Sequence, residues 1–159
     1  LRRQRQMCIR DRDTKDHVAV SAFVKKSMDE MLKKGRITDD MYRLTRPKLI
    51  EQFISSDVAA RMAQADKRGD LYKEKPFVMD YEGVLVQGII DVYFEEEDKI
   101  ILVDYKTDRV REGEEDILIR RYRAQMESYQ QALEKITGKC VKEIYIYSVT
   151  LQKTIPVHV

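Results

Sequence analysis

Hydrophobic positions change their period about halfway along the chain. Across residues 17–34, Val20, Phe23, Val24, Met28, Met31 and Leu32 recur at three- and four-residue steps, the spacing of one helix face. Gly35 closes this run, as a C-terminal glycine does. Thr38, Asp39 and Asp40 offer a cap to a short second helix carrying Met41, Tyr42 and Leu44. Pro47 stands where a third helix begins, over residues 48–54. Ser55, Ser56 and Asp57 open a fourth, through Met62 to about Ala65. Residues 67–70 mark the exit from this helical half.

The second half reads as strands. Residues 75–82 look extended, with Phe77 and Val78 ahead of Tyr81. Residues 84–94 are rich in β-branched and aromatic side chains, and residues 99–106 carry IILVDYK. The acidic link at residues 95–98 is so short that these two strands must form a hairpin. Residues 112–116 are charged and loop-like. Residues 117–136 return to helical spacing, and Gly138 stops them. Residues 141–149 form a further strand with Tyr145 and Tyr147 on one face, and residues 154–159 add a short edge strand whose pairing Pro156 limits. No internal repeat or low-complexity tract interrupts the pattern. The expectation is an α/β fold, a small mixed sheet flanked by helices behind an N-terminal helical segment. The chain divides into residues 1–12, a helical segment 13–70 and a core 71–159.

Charge alters this picture at one end. Five arginines against Asp11 put +4 into residues 1–12, so a whole-chain charge of +2 leaves the remainder at −2. The opening LRRQRQMCIRDR has no usable period. It reads as a disordered or non-native tail resembling translated adapter sequence, with a phosphate-binding arm as the alternative. The rest is no basic nucleic-acid module by composition, so any DNA contact must come from locally placed Lys and Arg. No window approaches the roughly 18 apolar residues of a membrane span, and no signal peptide opens the chain. Cys8 and Cys140 form neither a disulfide framework nor a metal pair, and they are too few for an iron–sulfur cluster. A reducing cytoplasmic setting with no membrane partner is the expectation.

Three positions then stand out chemically. Asp91 lies inside the apolar strand GIIDV, and Asp104 and Lys106 end the next one. Strand alternation points Asp104 and Lys106 to one face, and the hairpin brings Asp91 beside them. Such a group is costly to bury without a partner, and a divalent cation suits the two acids, with Mg²⁺ or Mn²⁺ favoured by hard oxygen ligands. On the following helix Tyr122, Gln125 and Tyr129 share a face, and Ala132, Leu133 and Ile136 continue it onto the sheet.

The strings GIID, DYK and YRAQMESY resemble the RecB-type branch of the PD-(D/E)XK nucleases, which carries Gly-x-x-Asp, Asp-x-Lys and Gln-x-x-x-Tyr. Gly88, Asp91, Asp104, Lys106, Gln125 and Tyr129 match that pattern. The stretch VQGIIDVYFEEEDKIILVDYKTDRV is similar to the AddA-like subunits of helicase–nuclease complexes, and the likeness covers about residues 18–157. It implies a restriction-endonuclease-like core and a metal-dependent DNA exonuclease. Asp91, Asp104 and the Tyr105 carbonyl would hold Mg²⁺, Lys106 would activate water or neutralise the phosphate, and Gln125 and Tyr129 would position Lys106 or the DNA. It also implies upstream helicase domains and an AddB-like partner, with a role in double-strand break repair. No GKT or GKS loop occurs in this chain, so ATP hydrolysis would belong to those domains. RecB-type sites also have an early metal-binding histidine. His17, in DTKDHVAV, departs from that context, and the expected histidine falls upstream of this sequence.

Two further readings remain beside this one: a stand-alone or CRISPR-associated RecB-like exonuclease, and a silent DNA-binding or docking module. Tyr122, Arg121 and Arg123 are candidate DNA contacts beside the site, with Arg120 near them. Lys25, Lys26, Lys33, Lys34 and Arg36 read equally as a solvated helix face. Glu95 to Asp98 read as a hairpin turn rather than a metal cluster, Tyr145 and Tyr147 as sheet residues rather than a base-stacking platform, and Cys140 as buried or at an edge.

Overall fold

The computed structural model describes residues 17–159, so the opening tail and Cys8 lie outside the described residues. The chain divides after Lys67 into two compact units. The first contains α1 (His17–Lys33), α2 (Asp39–Leu44), α3 (Pro47–Ile54) and α4 (Asp57–Arg68) up to that point. Val20, Val24 and Met28, four residues apart, are buried along α1, which packs on α3 and touches α2. The caps fall where short polar residues allow them. Thr38 accepts the Met41 N–H at 3.2 Å, and Ser56 accepts that of Ala59 at 3.3 Å. Polar Asp66, Lys67 and Arg68 extend α4 beyond the apolar stretch that marked it in the sequence.

The second unit is a five-stranded mixed sheet with one long helix. Its strands are β1 (Leu71–Tyr81), β2 (Val84–Glu96), β3 (Lys99–Lys106), β4 (Val141–Ser148) and β5 (Lys153–Pro156), and α5 (Glu115–Thr137) joins β3 to β4. Spatial order follows chain order. β3 and β4 are parallel, as a helical crossover requires, and every other pair is antiparallel. Two-residue turns close both of the hairpins that join β1 to β2 and β2 to β3. Glu82–Gly83 and Glu97–Asp98 all have positive φ, the conformation whose twist matches the strands on either side.

The core of this unit lies between the sheet and α5. Ile100 and Leu102 of β3, Ile144 and Ile146 of β4, and Leu118, Met126, Ala132 and Leu133 of α5 share it. Ile136 does not join it. It sits in the last turn of α5 and is 62% exposed. Cys140 is exposed as well, in the link between α5 and β4, and neither buried nor within a strand. α5 begins two residues ahead of its apolar pattern, because Glu115 and Asp116 form an acidic first turn that suits the helix dipole but carries no hydrophobic signal.

Candidate active site

The site forms where the sheet ladder opens. β1 and β2 pair on either side of Glu74 and Asp91 but not through them, and the β2–β3 register ends at Val92 opposite Val103. Glu74 has a φ of 49°, which breaks the extended conformation there. Continued by one step, the register would set Asp91 opposite Asp104. Instead the Asp91 carboxylate accepts the Tyr105 backbone N–H at 3.0 Å. A side-chain oxygen thus takes a backbone donor that the ladder leaves over, and it ties the two strands together at the point where they part.

Asp104 is 2% exposed. The Lys106 ammonium lies 2.6 Å from its Oδ2, with the lysine side chain 13% exposed. Lys106 Nζ also donates to Gln125 Oε1 at 2.6 Å and stands 4.0 Å from the centroid of the Tyr122 ring. Carboxylate, amide oxygen and ring face thus surround this nitrogen on three sides. Tyr105 points to the opposite face of the sheet, with its ring 6.3 Å from that of Tyr147.

Gln125 and Tyr129 come from one face of α5. The Tyr129 hydroxyl donates to the Ile89 carbonyl at 3.2 Å, and Ile89 pairs with Pro76, which has no N–H to offer. Burial, then the charges of Asp104 and Asp91, push the Tyr129 phenol up to about 12. Gly88 makes this packing possible. A Cβ there would come within 2.9 Å of the Phe77 ring and 3.5 Å of the Tyr129 ring, which meet edge to face. Asp104, Lys106, Gln125 and Tyr122 are therefore in direct contact between β3 and α5, while Asp91 and Tyr129 bond the backbone of β3 and β2.

The basic residues beside it each meet a partner within this chain. Arg121 pairs with Asp108 at 2.6 Å, Arg120 pairs with Asp116 one helical turn away, and Arg123 donates to the His158 carbonyl. Asp108 also accepts the Tyr122 hydroxyl. Burial would raise its carboxyl, but the Tyr122 hydroxyl and the Arg121 guanidinium outweigh that and hold it below the usual carboxylate range. No spacing in the sequence pointed to Asp108, because its partners lie 13 and 14 residues away on a helix whose placement is tertiary. Lys25, Lys26, Lys33, Lys34 and Arg36 are exposed in the first unit. His17 begins α1, and its side chain lies outside the described residues.

Among the described residues no three His, Cys, Asp or Glu side chains group as a metal cluster. The available donors are the two carboxylates of Asp91 and Asp104 and nearby backbone oxygens. An all-oxygen set with two acids fits a small hard cation that keeps several of its waters.

Residues 5–155 match the profile of the PD-(D/E)XK nuclease superfamily, and the chain belongs to that family. Nucleases of this superfamily generally use divalent metal ions. Among curated relatives, an ATP-dependent helicase/nuclease subunit of Clostridium perfringens (strain ATCC 13124) is 36% identical over 89% of this chain. The protein of the same name from Thermoanaerobacter sp. (strain X514) is 38% identical over 78% of it. The chain spans only 12% and 11% of the lengths of these two proteins. A solved structure from Eubacterium rectale, described as a candidate exonuclease, overlays 94% of this chain and 60% of its own. Its TM-score is 0.44 at 17% identity, too slight a likeness to carry weight. No helix among the described residues is long and apolar enough to cross a membrane.

Proposed function

We propose that this chain is the nuclease domain of an AddA-like helicase–nuclease and hydrolyses DNA phosphodiester bonds as a Mg²⁺-dependent exonuclease. The observation that carries this reading is the pairing of a buried acid with a lysine on one strand end. Lys106 Nζ lies 2.6 Å from Asp104 Oδ2 and is held by Gln125, while Asp91 anchors the neighbouring strand. Asp91, Asp104 and the Tyr105 carbonyl would hold the ion. When bound, Mg²⁺ would polarise the phosphate and lower the pKa of a coordinated water.

The protein's own groups do the rest. Lys106 presents a fixed positive charge to the phosphate oxygens as negative charge builds on them. Gln125 fixes the direction of that ammonium, and Tyr129 secures α5 to β2 through Ile89. In the reaction a water oxygen forms a bond to phosphorus and gives up a proton to solvent, the scissile P–O bond breaks, and the leaving oxygen takes up a proton from solvent. The relatives are named as helicase/nuclease subunits, so we place this domain at DNA ends in double-strand break repair, together with ATP-driven helicase domains and an AddB-like partner.

Digestion of linear and covalently closed circular DNA, with Mg²⁺ or with chelator, tests the proposal. Loss of the linear form alone, and only with Mg²⁺, is the expected result. Cleavage of both forms would replace the exonuclease reading with an endonuclease, and cleavage in chelator would refute the metal dependence.

A further inference from the structure

We propose that Asp108 is a positioning residue for Lys106 and acts through the ring of Tyr122. The proposal rests on the catalytic reading of Lys106. Three contacts carry it. The Tyr122 hydroxyl lies 2.9 and 2.8 Å from the two carboxylate oxygens of Asp108 and shares its single proton between them. The ring of the same tyrosine lies 4.0 Å from Lys106 Nζ. Arg121 pairs with Asp108 at 2.6 Å and steadies the carboxylate from its solvent side.

The phenolic oxygen of a tyrosine lies on the axis about which its ring turns, so a bond there restrains the swing of the whole side chain about its first torsion. Donation to a carboxylate also moves electron density into the ring, which strengthens its attraction for a cation. Asp108 therefore sets both where the ring stands and how strongly it draws the ammonium. The backbone at Asp108 is anchored separately, since Thr150 Oγ1 donates to its carbonyl at 2.8 Å. Replacing the carboxylate thus removes the restraint on Tyr122 while this tether of the loop remains.

The test uses the full chain with ¹³C-labelled lysine. The Lys106 ε-methylene resonance is assigned by its loss in Lys106→Arg. The Tyr122 ring current should shift it, and Tyr122→Leu should abolish the shift. Asp108→Ala, which leaves no side-chain acceptor, should move the resonance toward its Tyr122→Leu position, and Tyr122→Phe should do the same without touching the loop. In Mg²⁺-dependent cleavage of linear DNA, Asp108→Ala should lower kcat about tenfold with KM unchanged. Combined with Tyr122→Phe it should lower kcat no further. An unmoved resonance in Asp108→Ala overturns the proposal, as does a moved resonance with unchanged kcat. Multiplied losses in the double variant would show that Asp108 acts independently of the ring. An unmutated chain that cleaves nothing would overturn the reading of Lys106 and the catalytic part of this proposal, while the spectrum separately decides the contact.

Discussion

Replacing Lys106 with methionine should cost this protein more stability than any loss of packing explains. The change keeps the length of the side chain and removes its charge. Asp104, with its side chain 3% exposed, would then stay buried without the ammonium now 2.6 Å away. Breaking a buried pair at one partner costs about 3–5 kcal/mol, and the residual 13% exposure of the lysine side chain places the expectation near the lower end, about 3 kcal/mol. That is a large part of the roughly 5–15 kcal/mol that holds a typical domain together. The cause is the carboxylate left without that ammonium, so the same lysine change should cost much less once the carboxylate charge is gone. Asp104→Asn alone should cost about 1–2 kcal/mol, and adding Lys106→Met to it only about 1 kcal/mol more. The coupling is then about 2 kcal/mol. Urea unfolding in chelator measures it, followed by far-UV circular dichroism because the chain has no tryptophan. Costs that add within about 0.5 kcal/mol would show that the two charges do not depend on each other and would refute the reasoning.

Other outcomes follow from the same geometry. Gly88→Ala should destabilise the second unit by about 1–3 kcal/mol, read as a lower melting temperature, because the new methyl meets the Phe77 ring at 2.9 Å. Mg²⁺ at about 100 times its Kd should add about 2.7 kcal/mol of stability to the unmutated chain and almost nothing to Asp91→Asn/Asp104→Asn; an equal gain in both would place the ion elsewhere. Tyr129 and Tyr147 are both pushed up to about 12, Tyr129 by burial and the nearby acids and Tyr147 by burial alone. The folded state thus keeps protons that the unfolded chain gives up near the ordinary tyrosine value of about 10. Stability should therefore fall as pH rises from about 10 to 12, and Tyr147→Phe should flatten that fall in an alkaline unfolding series.

Much of the site was legible in the sequence because one turn determines its register. A two-residue turn at Glu97–Asp98 pairs Val92 with Val103, the last pair of that ladder, and so brings Asp91 and Asp104 to the point where the two strands part. Alternation then assigns Lys106 to the face of Asp104, and three- and four-residue spacing assigns Tyr122, Gln125 and Tyr129 to one face of α5. What periodicity could not show is which partners these groups meet. Arg121 and Arg123, read as candidate phosphate contacts, also meet Asp108 and the His158 carbonyl, which only the placement of α5 brings near. The open ladder at Asp91 was equally hidden, since it depends on the positive φ of Glu74 across the strand pair. The start of β1 at Leu71 was missed for a related reason: LYKE carries no apolar alternation, and its pairing with β2 supplies the strand. Ile136 followed the helical period but lies at the end of α5, where the period no longer tells which side is covered.

The central claim is that Asp91, Asp104 and Lys106 form one hydrolytic site. The most direct test is the rate at which linear DNA is degraded in Mg²⁺ by the unmutated chain, by Asp104→Ala and by Lys106→Ala, at equal folded concentration. The unmutated chain should degrade the DNA, and each variant should lose at least about a hundredfold, the scale of removing a group that stabilises transition-state charge. Equal rates in all three proteins would contradict that claim.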